Sequence, residues 1–172
     1  IVQIHIQRQI DEQESLNFKY LIALLVLCAI INFYGLGQLP FIGPDEPRYA
    51  EVARAMYVTG DWVTPRLGGI NWFEKPALTY WISATGYRIF GVSEFAARFG
   101  IAASASLGVL LLYLFGKRVG APRLGYLSAS VLMTCGLWAG FARATAFDLP
   151  LSVSLQLGLL SFYLWESEDE RK

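Results

Sequence analysis

Charge is scarce in this sequence: Asp, Glu, Lys and Arg together make up 16% of 172 residues, and 14 basic side chains balance 14 acidic ones. Without net charge the chain has no global field of either sign, so nucleic acid is not an expected partner and only local charge placement informs function. Cysteine is scarcer still, with two residues, and histidine occurs once. Cys28 and Cys135 both lie inside apolar runs, where a small soft side chain packs, and neither has a histidine or a second cysteine at metal-ligand spacing. A disulfide and a zinc site are thereby set aside. What fills the chain instead is hydrocarbon: 55% of residues are hydrophobic, more than an ordinary soluble domain carries, and the sequence reads as a membrane protein. It opens at Ile1, and the polar stretch "HIQRQIDEQES" precedes the first apolar run, which fits a piece of a longer protein better than a cleavable signal peptide.

Four apolar segments, 20–36, 95–115, 124–141 and 149–165, approach the roughly 17 to 25 residues that cross a bilayer as a helix. The expected fold is therefore an all-α integral membrane one with about four transmembrane helices. A fifth stretch, "PALTYWISATGYRIFG" at 76–91, is short for a span and carries Arg88, so it reads as an interfacial helix. Its placement decides the topology. Were it to cross, Asp45 and Asp148 would fall on opposite faces, and the basic loop with Lys117, Arg118 and Arg123 would lie outside, against the positive-inside tendency. On the preferred reading 1–19 and 166–172 are cytoplasmic, 20–165 is the transmembrane unit, and 38–94 is one extracytoplasmic loop.

That loop carries too many structural signals for a passive linker. A helix is expected to open at Pro47, with Asp45 and Glu46 just ahead, where negative charge meets a helix amino end. Tyr49, Val52, Ala53 and Met56 then form one apolar stripe and Arg48, Glu51 and Arg54 the opposite face, as in an amphipathic helix lying on a membrane. The following "TGDWVTPRLGGINWFEKP" is turn chemistry that breaks regular structure, with Trp62, Trp72 and Phe73 suited to the headgroup level.

Asp45 thus sits where a helix leaves the hydrocarbon, with Arg48, Arg66 and Lys75 in the same loop; Asp148, preceded by Arg143 and followed by Pro150, holds the equivalent place before the last span. Taken singly, each aspartate is as readily a helix cap, each arginine a partner of a neighbouring glutamate, and Glu74–Lys75 a solvated turn pair. Their co-location is what suggests a seat for an anionic lipid headgroup beside a base.

The elements "GPDEPRYAEVARAM", "GDWVTPRLGGINWFEKPALTYW", "EFAARF" and "RATAFDLPL" resemble the amino-terminal region of bacterial lipid-linked-sugar glycosyltransferases, the aminoarabinose transferases and their dolichyl-phosphate-mannose protein mannosyltransferase relatives, over about residues 20–165. The resemblance implies a fold of the GT-C type, with a first external loop bearing juxtamembrane amphipathic helices. It implies a multi-pass protein of the cell inner (plasma) membrane that takes a sugar from a polyprenyl-phosphate carrier and passes it, with inversion, to a lipid, protein or glycan acceptor on the extracytoplasmic side. In its terms Asp45 is the catalytic acid residue, supported by Asp148; Arg48 and Lys75 face the carrier phosphate, with Glu46, Arg66 and Arg143 as further substrate-binding candidates. Glu74 would assist a divalent metal ion if one is used. One departure is visible: relatives often carry two prolines after the lysine, where this chain has Pro76-Ala77. Two rival classes stay open on the residues alone: a transporter or flippase of anionic lipid-linked substrates, and a non-catalytic membrane subunit. Against transport, no ionisable group lies near the middle of an expected span.

Overall fold

The computed structural model describes the backbone of residues 2–169 and the side chains of 12–167. The end of the expected cytoplasmic tail, 170–172, lies outside the described residues. In chain order the elements are α1 (Val2–Cys28), a π-helical turn (Ala29–Phe33), α2 (Asp45–Thr59), β1 (Arg66–Leu67), β2 (Ile70–Asn71), α3 (Ala77–Phe90), α4 (Glu94–Arg118), α5 (Pro122–Thr134), α6 (Gly136–Phe141) and α7 (Asp148–Asp169).

The central element is α4, against which α1, α3, α5 and α7 all pack. Its ends follow from simple chemistry. Ser93 Oγ accepts the Ala96 amide at 3.2 Å, Glu94 stands in the first turn, and Lys117 and Arg118 stand in the last, each charge complementing the helix dipole. Its neighbours approach closely because small residues meet: a Cβ at Gly116 would collide with Gly125 of α5, and one at Gly86 of α3 would collide with the Ala96 carbonyl.

Two of the expected crossings, Glu12–Phe33 and Glu94–Arg118, are long and apolar enough to span a membrane on their own. The first helix differs from expectation at its start, since it runs through residues 19 and 20 without a break, and at its end, where it relaxes into the π turn. The third expected segment, 124–141, is not one helix. It breaks at Cys135, which is extended (ψ 124°), after Ser130 and Thr134 have bent their hydroxyls back onto the Tyr126 and Ser130 carbonyls and just before Gly136. The fourth starts at Asp148, as a helix amino end requires.

Within 38–94, α2 starts two residues earlier than Pro47, so that Asp45 and Glu46 lie in its first turn. The stripe Tyr49, Val52, Ala53 and Met56 is buried, but protein and not lipid covers it: Tyr80, Ala84 and Tyr87 of α3 and Ala96 and Ala97 of α4 pack on that face. Removing each such large side chain from water contributes roughly 1.5 to 3 kcal/mol, which holds α2 down as part of the domain. The stretch expected to lack regular structure contains a small antiparallel ribbon, Arg66 opposite Asn71 and Leu67 opposite Ile70. Gly68 and Gly69 both adopt positive φ (58° and 84°), the combination a two-residue hairpin turn demands.

Candidate active site

Four of the expected site residues meet at the amino ends of α2 and α3. Asp45 Oδ1 lies 3.2 Å from Arg48 Nη1, and Glu74 stands between two cations, 3.7 Å from Arg48 Nη1 and 3.7 Å from Lys75 Nζ. Each cation also rests on an aromatic face: the Arg48 guanidinium is 5.7 Å from the Trp72 ring centre and Lys75 Nζ is 4.6 Å from that of Phe147. Phe147 immediately precedes Asp148, so the lysine seat brings the start of α7 to the cluster. Tyr49 forms the floor, its ring 6.2 Å from Phe147 and 6.3 Å from Tyr80. Its phenol is pushed up first by burial and then by Asp45 and Glu74, with Arg48 opposing and Asp148 adding to the rise. Arg48 joins Asp45 to Glu74, and Phe147, the residue before Asp148, packs against the Tyr49 ring.

Below that floor Tyr80 is 1% exposed and its hydroxyl has no hydrogen-bond partner; burial, then Tyr49 and Glu74, push its pKa up to about 12. It stays a neutral phenol at any working pH. The ion-paired cluster holds two cations, Arg48 and Lys75, and two acids, Asp45 and Glu74, partly open to water, with Asp148 next in sequence to the lysine's aromatic seat.

The remaining expected residues point elsewhere. Glu46, proposed from sequence as a substrate contact, turns inward and is 5% exposed. Its Oε1 accepts Arg98 Nε at 2.6 Å and the Thr145 amide at 2.9 Å, and its Oε2 accepts Arg98 Nη2 at 2.9 Å and the Ile42 amide at 2.7 Å. A carboxylate has about four lone-pair positions, and all are taken, so none is left for a substrate. Burial pushes this carboxyl up, but the bonds from Arg98, Ile42 and Thr145 and the arginine's charge outweigh it, and the net shift is downward. Arg66, in the ribbon, pairs at 3.1 Å with Asp61 of the loop that precedes it. Arg143 donates to the Ile31 carbonyl at 2.9 Å and the Tyr34 carbonyl at 2.8 Å, capping the open end of the π turn. A divalent ion does not fit these side chains as arranged: Glu74 already faces two cations, and among the described residues no group of three or more His, Cys, Asp or Glu could hold a metal.

Sequence reasoning missed Arg98, although its motif "EFAARF" was noticed. The available signal was a lone arginine one turn into a long apolar helix, which must find a partner. It also read Trp72 as an interface residue and gave Phe147 no role, where they seat Arg48 and Lys75.

The sequence profile of the dolichyl-phosphate-mannose-protein mannosyltransferases matches residues 17–172. The chain belongs to this mannosyltransferase family. Among curated relatives, the undecaprenyl phosphate-alpha-4-amino-4-deoxy-L-arabinose arabinosyl transferase of Aeromonas hydrophila is 34% identical over 134 residues, 77% of this chain and 24% of that protein. A second such arabinosyl transferase, from Pseudomonas fluorescens, is 40% identical over 129 residues, 74% of this chain and 22% of that protein. Of solved structures, ArnT from Cupriavidus metallidurans bound to undecaprenyl phosphate superposes with a TM-score of 0.77 at 30% identity, over 83% of this chain and 26% of that one. The apo form of the same protein gives 0.77 at 29% identity. This family member thus spans about a quarter of the length of the relatives it matches.

Proposed function

We propose that the protein of which this chain is the amino-terminal part is a membrane glycosyltransferase that moves a sugar from a polyprenyl phosphate to an acceptor on the extracytoplasmic side. The observation that carries the reading is the seating of Arg48 and Lys75 on aromatic faces beside an aspartate at the amino end of α2. A polyprenyl carrier is held by its tail in hydrocarbon, so its phosphodiester lies where helices leave the membrane. Two fixed cations there suit that anion. The names of the arabinosyl transferases support undecaprenyl phosphate-linked 4-amino-4-deoxy-L-arabinose as donor. The acceptor is a hydroxyl-bearing lipid, protein or glycan.

In the proposed reaction the acceptor oxygen attacks the anomeric carbon from the face opposite the phosphate, and that carbon inverts. As the new C–O bond forms, Asp45 takes the hydroxyl proton; as the old one breaks, its electron pair leaves on the phosphate oxygen, whose growing charge Arg48 and Lys75 neutralise. Arg48 now pairs with Asp45, and a phosphate that draws the arginine toward itself releases the carboxylate for the acceptor. On this reading Asp148 supports Asp45 as the second acid. In proteoliposomes of the full-length protein, transfer of labelled sugar from the lipid-linked donor is expected. Donor left intact in the presence of acceptor would defeat the reading. Cysteines introduced beside Asp45 and beside Asp148 should both react with a membrane-impermeant reagent applied from outside, and labelling of one alone would overturn the shared outer face.

A further inference from the structure

We propose that the buried Glu46–Arg98 pair is a positioning device that sets the spacing of Asp45 and Asp148, and thereby governs turnover in preference to donor binding; the inference rests on the transferase reading above. Stretches of chain remote in sequence meet at this pair. Glu46 is the covalent neighbour of Asp45 in the first turn of α2. Arg98 stands on α4, the helix that the others pack against, and is 2% exposed. Its Nη1 donates to the Leu36 carbonyl at 3.0 Å and to that of Leu39 at 2.7 Å, and its Nη2 to that of Pro40 at 3.0 Å. With the two bonds to Glu46, all five guanidinium N–H groups are used, and the segment entering α2 cannot slide.

The second acid is tied to the same carboxylate. Residues 142–147 form an irregular turn whose internal backbone bonds are local, Arg143 to Gly140, Ala144 to Phe141 and Ala146 to Ala144. The bond that joins this turn to α2 runs from the Thr145 amide to Glu46 Oε1, three residues before Asp148. It uses the main chain alone, and Thr145 Oγ1 is left buried without a partner. One carboxylate therefore fixes Asp45 through the peptide bond and Asp148 through a hydrogen bond. Proton transfer during attack is sensitive to displacements of about 1 Å. Donor phosphate, by contrast, is gripped by Arg48 and Lys75, neither of which bonds to the pair; Lys75 meets the 142–147 turn through the face of the Phe147 ring.

The test is Glu46→Gln in the full-length enzyme. Glutamine keeps the size but has one acceptor oxygen and an NH₂ group, so N–H meets N–H at either Ile42 or Thr145, which loosens either the entry to α2 beside Asp45 or the turn before α7. Turnover per folded enzyme should fall by about 10- to 100-fold with donor KM changed by less than about threefold. In double-mutant cycles Glu46→Gln should be less than additive with Asp148→Asn. A lower melting temperature with unchanged turnover of the folded fraction would make the pair structural only and overturn the proposal, as would a raised KM with turnover preserved. Should Glu46→Gln fail to fold, Glu46→Gln with Arg98→Gln removes both charges and leaves no unpaired ion in the core. The same readouts then decide: slow turnover at normal KM supports the positioning role, and wild-type turnover overturns it. Transfer by the unmodified protein separates the two claims, since its absence defeats the transferase reading itself and the positioning role with it.

Discussion

Asp45 and Glu46 are consecutive residues of one charge, and the fold uses them in opposite ways. The Asp45 side chain is 65% exposed and holds a single cation at 3.2 Å, whereas Glu46 is 5% exposed and accepts four donors. Helical geometry turns successive side chains by about 100°, which sends one outward and the other into the core. The difference separates structure from chemistry: an ion pair whose hydrogen-bonding capacity is exhausted can only hold parts together, and one with capacity to spare can take a ligand or a proton.

Substitutions on either side should break this contrast in characteristic ways. The largest effect is expected from Arg98→Ala, which leaves the Glu46 carboxylate buried and unpaired and should cost about 3 to 5 kcal/mol of stability, read as a lowered melting temperature in detergent. The same pair carries a pH signature. Because the folded-state pKa of Glu46 is held below its ordinary 4.5, its contribution is complete above that value and is lost as pH falls through the folded one. Wild type should therefore lose melting temperature on acidification below 4.5, and Glu46→Gln should show a flatter acid limb. Next comes Asp45→Asn, which keeps shape but removes the base. Turnover should drop by about 100-fold or more with donor affinity unchanged and melting temperature intact, and near-normal turnover would end the case for Asp45 as base. Lys75→Gln should weaken polyprenyl phosphate binding, on the order of 2 kcal/mol, along with turnover, since a fixed cation meets the phosphate both bound and departing. The smallest effect belongs to Glu51→Gln. Its partner Arg54 lies at 2.7 Å on the open face of α2, where such pairs contribute under about 1 kcal/mol, so stability and turnover should both stay close to wild type.

The parts of this architecture that could be read from sequence are those set by neighbours in the chain. The stripe on α2 declared itself by helical spacing, Asp148 by its place before Pro150, and the cluster of Asp45, Arg48, Glu74 and Lys75 by crowding into one loop. What covers the α2 stripe was not legible, because a membrane and a protein face select the same side chains. The break at Cys135 was hidden for a different reason: no proline marks it, and serine and threonine disturb a helix only through the carbonyls they choose to bond. Arg98 was hidden by distance, since Glu46 lies 52 residues away and the Leu36 carbonyl 62. The fates of Arg66 and Arg143 were equally invisible, because an arginine's partner is decided by which acceptor stands unpaired in the folded chain, and that is a property of packing.

The contact of Gly116 with Gly125 bears on how the protein is made. With no side chains between them, α4 and α5 can close into a hairpin through residues near in sequence, as soon as both have left the ribosome. The tip of that hairpin carries Lys117, Arg118 and Arg123, and on the proposed topology this basic tip lies on the cytoplasmic side, as the positive-inside tendency favours. On the proposed topology this small turn acts as an orientation anchor for its neighbours, α3 and α7, whose amino ends bear the site. A bulky residue at Gly116 should therefore show first as mis-inserted or rapidly degraded protein, before any effect on the reaction can be measured.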